Sequence, residues 1–138
     1  MADHWIEKRM PISNPSAKVD PVAIVDDDLA VLDSLRFVLE LHGFEVLPYS
    51  SGSEFFATLA AISPCCVIVD QNMPGMTGLD IAFRLRNSGS TVPIIMLTGL
   101  VTDTLRLRAR ALGITAIIGK SHCSEEEITR AIRSCLKA

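Results

Sequence analysis

Short unbroken apolar runs alternate along this chain with stretches in which apolar residues recur every three or four positions. The runs are Val22-Ala23-Ile24-Val25, Cys65-Cys66-Val67-Ile68-Val69, Ile94-Ile95-Met96-Leu97 and Ala116-Ile117-Ile118-Gly119. Runs of this length, bounded by turn signals, read as strands buried on both faces, as in a parallel sheet. Phe44 to Tyr49 reads as a further strand, second in chain order. The intervening stretches read as helices. Val31, Leu35, Val38 and Leu39 repeat at helical spacing up to a stop at Gly43, and Ser53 to Ala61 gives a short helix ahead of Pro64. Leu79 to Arg86 and Thr102 to Leu112 follow, the latter closed by Gly113. The last helix places Ile128, Ala131, Ile132, Cys135 and Leu136 on one face, with Ser124 and Glu127 spaced as a capping box. Five strand–helix alternations predict an α/β domain with a parallel sheet covered on both faces.

Four of the runs stop on residues that can do chemistry: Asp26-Asp27-Asp28, Asp70, Thr98 and Lys120. The gaps between Asp26, Asp70, Thr98 and Lys120 are 44, 28 and 22 residues. One strand–helix unit takes roughly 20 to 30 residues, so the first gap holds two units and strand 2 carries no site residue. In an open α/β sheet, ligands bind just beyond the carboxyl ends of the strands. Three carboxylates, a hydroxyl and an ammonium are therefore expected at one sheet edge, a composition suited to a divalent cation and a phosphoryl group. Magnesium favours octahedral oxygen ligation with one or two carboxylates. Asp26 and Asp27 offer an adjacent pair, Asp70 a third carboxylate, and a backbone carbonyl behind Asp70 another oxygen. Asp28, at the start of a helix, is expected to cap it. Asp70 is the best nucleophile, because carboxylates form acyl phosphates in enzymes. Lys120 would neutralise charge and Thr98 would donate to the phosphoryl oxygens.

Bulk composition narrows the classes. A chain of 138 residues that is 49% hydrophobic can fill one core but not two. A net charge of −3 and a pI near 5.5 argue against nucleic-acid binding as its main business. No stretch approaches the ~20 apolar residues of a membrane span. Residues 1–20 are polar, carry both charge signs and lack a signal-peptide core; they read as a flexible leader with a single tryptophan, Trp5. A cytoplasmic location is expected. The four cysteines include no C-x-x-C pair and read as buried or incidental thiols, with Cys65 and Cys66 pointing to opposite faces of their strand.

The string Asp70-Gln71-Asn72-Met73-Pro74-Gly75-Met76-Thr77-Gly78 resembles the D-x-x-M-P-x-x-x-G segment of bacterial two-component response-regulator receiver domains. The acidic group after strand 1, the threonine after strand 4 and the lysine after strand 5 match the same family, over about residues 20 to 138. The resemblance implies a flavodoxin-like fold with strand order 2-1-3-4-5 and a receiver domain over 21–138. It also implies that Asp70 is the phosphoacceptor, that Asp26, Asp27 and the Asn72 carbonyl serve Mg2+, and that Thr98 and Lys120 read out the phosphoryl group. The chain departs from the family twice. Lys120 is followed by Ser121 where receivers usually have proline, commonly after a cis bond; a non-proline cis bond costs ~2.5–4 kcal/mol, so either Ser121 carries that strain or the loop takes another path. Ile117 stands where a tyrosine or phenylalanine usually turns inward, so the usual threonine–aromatic switch cannot operate in its ordinary form.

These readings favour a phosphorylation-activated receiver in a phosphorelay, fed by a sensor histidine kinase or a histidine phosphotransfer protein. It would act through protein contacts, without an external turnover substrate. A receiver portion of a longer, DNA-binding regulator is the second reading. An aspartate-nucleophile phosphohydrolase is the third, but Asp70-Gln71-Asn72 lacks the D-x-D acid those enzymes use. Arg106 and Arg110 share a face of helix 4, which reads as a solvated basic face or as part of a homodimer surface on helix 4, strand 5 and helix 5. Two residues beyond the threonine, Leu100 is expected to help exclude water from the site.

Overall fold

A computed structural model describes residues 20–136. The leader expected over residues 1–20, Trp5 included, lies outside the described residues except for Asp20. In chain order the elements are β1 (Val22–Val25), α1 (Leu29–Leu41), β2 (Val46–Tyr49), α2 (Gly52–Thr58), β3 (Cys66–Asp70), α3 (Gly78–Asn87), β4 (Ile94–Thr98), α4 (Asp103–Ala111), β5 (Ala116–Gly119) and α5 (Glu125–Leu136). All strand pairs are parallel, in the order β2-β1-β3-β4-β5. The fold class and strand order expected from the sequence are those observed. Pro48 lacks an N–H to donate, and it falls in the edge strand β2, where the sheet tolerates that loss.

Alternation along the strands divides the core into two layers. Val22, Ile24, Cys66, Ile68, Ile95 and Leu97 face α1 and α5, where they meet Leu32, Leu39, Ile128 and Ile132. Ala23, Val25, Val67, Val69, Ile94 and Met96 face the other helices, where they meet Phe55, Ile81, Leu85 and Leu105. The inner strands β1, β3 and β4 are buried along their whole length, as unbroken apolar runs require. Each fully buried Val, Leu or Ile contributes about 1.5–3 kcal/mol of transfer free energy.

Polar residues set the helix ends. Asp28 accepts from the Ala30 and Val31 amides and caps α1, as expected. Ser51 caps α2 and Thr102 caps α4. Thr77 and Asp80 form a reciprocal capping box on α3 that the sequence reading did not pick out. At α5 the Ser124 hydroxyl accepts from the Glu127 amide at 3.0 Å, the forward half of the expected box. Gly43, with φ of 91°, lets the chain leave α1 where a side chain would be strained. Arg86 ties the far end of the molecule together: it donates to the carbonyls of Leu112, Ser90, Val92 and Gly113.

Three local expectations need correction. The helix expected over Ser53 to Ala61 is α2 followed by a separate 3-10 turn, Leu59–Ala61, because the tighter turn lets the chain swing toward Pro64. The second strand begins at Val46, not Phe44, whose ring packs beside the α1/α5 layer. Cys65 precedes β3, so strand alternation does not govern it, and it packs against the same layer as Cys66.

Candidate functional site

The carboxyl ends of β1, β3, β4 and β5 converge as expected. Asp26, Asp70 and Thr98 are buried to 1%, 2% and 2% exposure at the ends of otherwise apolar strands. Lys120 opens a 3-10 turn, Lys120–His122, straight after β5. Its ammonium lies 3.1 Å from Asp70 Oδ1 and 3.3 Å from Asp26 Oδ2, bridging the two buried carboxylates. Asp27, one residue further on, is exposed, and one carboxylate oxygen each from Asp26, Asp27 and Asp70 lie within 4.8 Å of one another.

The electrostatics of this cluster are unbalanced. Burial raises the pKa of Asp26, and the Asp70 charge adds to the rise; the Asp28 amide and Lys120 oppose it without cancelling it. Asp26 Oδ1 accepts from the Asp28 amide at 2.9 Å. Asp26 Oδ2 faces Lys120 but forms no well-directed hydrogen bond, and it is a buried acceptor with spare capacity. For Lys120, burial pulls the pKa down, but the Asp70 hydrogen bond and the Asp26 and Asp70 charges outweigh it and the net shift is upward. One ammonium thus compensates two buried carboxylates, with Asp27 close by. Hard oxygen donors, excess negative charge and an under-used buried oxygen fit a divalent cation.

The loop behind β3 folds tightly against the site. The Asn72 amide donates to Asp70 Oδ1 at 3.3 Å, and Gln71 Oε1 accepts from the Leu79 amide at 2.8 Å, docking α3 onto the loop. Gly78 permits that closeness: a Cβ there would lie 3.0 Å from the Asp70 carbonyl oxygen and 3.1 Å from Gln71 Cα. A side chain there would require the backbone at Asp70 and Gln71 to give by a few tenths of an ångström, which gives the final glycine of the D-x-x-M-P-x-x-x-G segment a steric cause. The Asn72 side chain contributes what the sequence reading missed. Its Oδ1 lies 3.3 Å from both Thr98 Oγ1 and the Gly99 amide. The Asn72 amide oxygen thus joins the loop behind β3 to the end of β4, sharing the Thr98 hydroxyl with the Leu100 carbonyl. An asparagine two residues past a candidate phosphoacceptor was the available signal, but nothing local marks its reach to β4.

Thr98 Oγ1 also accepts from the Leu100 amide at 3.3 Å and faces the Leu100 carbonyl at 3.1 Å. The Leu100 side chain, by contrast, is 72% exposed, so no packing holds it over the site as a shield. Ile117 is half-buried against the layer containing Phe55 and Met96. All peptide bonds among the described residues are trans, so the loop after Lys120 takes the other path foreseen for it, through the 3-10 turn.

The family model for the response regulator receiver domain matches residues 22–133. The transcriptional regulatory protein FixJ of Bradyrhizobium diazoefficiens is 31% identical over 84% of this chain and 56% of its own length. The response regulator protein TodT of Pseudomonas putida is 34% identical over 88% of this chain and 53% of its own. The chain spans about half the length of the curated relatives it matches. Among solved structures, a response regulator receiver domain protein from Clostridium thermocellum aligns with a TM-score of 0.79 at 26% identity, covering 86% of this chain and 95% of that one. Full-length FixJ from B. japonicum aligns with a TM-score of 0.78 at 30% identity, covering 86% of this chain and 58% of that one.

Proposed function

The chain belongs to the response regulator receiver family, and on that premise we propose that it accepts a phosphoryl group on Asp70 and signals through protein contacts. Residues 21–138 would form the receiver, with residues 1–20 as its leader, in a cytoplasmic protein. The observation that carries the proposal is the buried Asp70 carboxylate held 3.1 Å from Lys120 Nζ, with Asp26 and Asp27 beside it.

In the proposed reaction an Asp70 oxygen attacks the phosphorus of a phosphohistidine or a small acyl phosphate. A P–O bond forms, the P–N or P–O bond to the donor breaks, and the departing group keeps the electron pair. Asp26, Asp27, Asp70 and the Asn72 carbonyl would hold Mg2+, which when bound offsets charge on the phosphoryl oxygens. Lys120 neutralises charge on the Asp70 side, and Thr98 Oγ1 and the Gly99 amide offer hydrogen bonds to the transferred group. Position 72 is an asparagine where a D-x-D phosphohydrolase carries its acid, which supports a switch over an enzyme with an external substrate.

A groove of about 380 Å³ beside the site, lined by Ala30, Val31, Ser34, Leu35, Leu97, Lys120 and Cys123, supports docking of a histidine kinase or phosphotransfer protein there. Exposed Leu107 beside Arg106, Arg108 and Arg110 supports α4, β5 and α5 as a homodimer or output surface. The FixJ and TodT relatives, of which this chain spans 56% and 53%, favour a second reading in which this receiver serves a longer DNA-binding regulator. Intact-mass measurement after incubation with Mg2+ and acetyl phosphate tests the core proposal. An adduct of about 80 Da is expected in the wild type and absent in Asp70→Asn. An undiminished adduct in that variant overturns it.

A further inference from the structure

Cys66 and Cys135 are 69 positions apart in sequence, yet the Cys66 thiol points at Cys135 Sγ across 3.9 Å. We propose that these two residues form an oxidisable dithiol, which a peroxide converts to a disulfide that locks α5 onto β3.

The two thiols differ in ways that divide the work. Cys66 lies within the central strand β3 at 0% exposure, closed off from any reagent. Cys135 is in the last turn of α5 at 7% exposure, less deeply enclosed than Cys66. The hydrogen bond that the Cys66 thiol directs at the Cys135 sulfur holds the Cys135 pKa below the ordinary thiol range, against the opposing effect of burial. Hydrogen bonding to Cys135 and burial push Cys66 the other way, so it keeps its proton. Cys135, the less deeply buried of the two residues, is the one a peroxide meets first, and the fully enclosed Cys66 is the resolving thiol.

The chemistry balances with hydrogen peroxide as oxidant. The Cys135 thiolate attacks one peroxide oxygen, the O–O bond breaks, and the departing hydroxide takes a proton to become water. This leaves a sulfenic acid on Cys135. Cys66 then loses its proton as its sulfur attacks Cys135 Sγ; the S–O bond breaks and a second water leaves. Two electrons pass from the sulfurs to the peroxide, and two thiols become one disulfide. The second step needs no solvent access, because the partners already touch. The sulfurs must close from 3.9 Å to about 2.05 Å for the bond to form. Cys65, half-buried beside Cys66, and Cys123, near the groove at Lys120, have no such thiol contact among the described residues.

Formation of the bridge requires neither phosphorylation nor a metal, so neither metal nor phosphodonor is added. The reduced 138-residue protein is treated with a small excess of hydrogen peroxide, quenched, alkylated in denaturant so that every free thiol reacts, and weighed without reductant. Two of the four thiols are expected to escape alkylation, with a cross-linked peptide joining Cys66 to Cys135. The bridge should form equally in Cys65→Ser and Cys123→Ser and be absent in Cys135→Ala and Cys66→Ala. Thermal melting of the oxidised protein should rise by several degrees and return on addition of dithiothreitol, because a cross-link between distant residues restricts the unfolded chain. Four thiols that all remain alkylatable, a bridge through Cys65, or Cys135 found only as sulfinic acid would each overturn the proposal. Should Cys66→Ala fold poorly, Cys135→Ala at the helix end decides the matter alone.

Discussion

The middles and the carboxyl ends of the same strands are buried to the same depth and do opposite things. Ile68 and Ile95 are at 0% exposure in strand interiors, and Asp26 and Asp70 are at 1% and 2% a few residues away. The interiors gain free energy from burial. The ends lose it, since charged groups are taken from water with one ammonium between two carboxylates. A sheet whose middle is strongly held can keep its edge electrostatically strained, and that strain is what a cation or a phosphoryl group relieves.

The sharpest break of this contrast is at the middle. Ile68→Ala should destabilise the protein by about 2–5 kcal/mol, read from chemical denaturation, because the packed layer beneath α1 and α5 cannot fully close the cavity. At the edge the sign reverses. Asp26→Asn keeps an acceptor for the Asp28 amide while removing a charge that folding disfavours, so it should stabilise the protein, by about 1–2 kcal/mol. A native pKa raised above the unfolded one means the folded state binds the extra proton, so stability rises as pH falls between the two values. The advantage of Asp26→Asn over wild type should therefore be full above the raised native pKa and shrink as pH drops to the ordinary aspartate range. Mg2+ should raise the melting temperature of the wild type and do little for this variant; equal stabilisation of both would count against Asp26 as a ligand.

Asp28→Ala tests the boundary of the acidic triplet. Loss of the α1 cap should cost about 1 kcal/mol while leaving the stabilisation by Mg2+ intact. The smallest effect belongs to Leu100. At 72% exposure, Leu100→Ala should change stability by less than about 0.5 kcal/mol, and a phosphorylated sample should decay at an unchanged rate. A severalfold faster decay would restore the shielding role that its exposure argues against.

The sequence was most legible where one physical rule acts locally. Unbroken apolar runs marked the strands, and their polar stops at Asp26, Asp70, Thr98 and Lys120 marked the edge, because a buried parallel strand leaves no other place for those groups. Asp28 was legible as a cap because capping is set within three residues. What escaped were contacts decided by three-dimensional closure. The reach of Asn72 to Gly99, the four carbonyls gathered by Arg86 and the meeting of Cys66 with Cys135 each join segments with no shared local pattern. The loop after Lys120 was open between two courses, since a serine in place of proline removes a constraint without imposing a new one.

The amide oxygen of Asn72 carries a thermodynamic consequence. By engaging Thr98 Oγ1 and the Gly99 amide, it keeps the loop after β4 ordered before any ligand arrives. For the proposed phosphoryl transfer, much of the conformational entropy of fixing that loop has then already been lost in the resting protein. Activation becomes an exchange of one oxygen for another at preset donors. Such an exchange is expected to show a small heat-capacity change in calorimetry, unlike the large one of a loop that folds on binding.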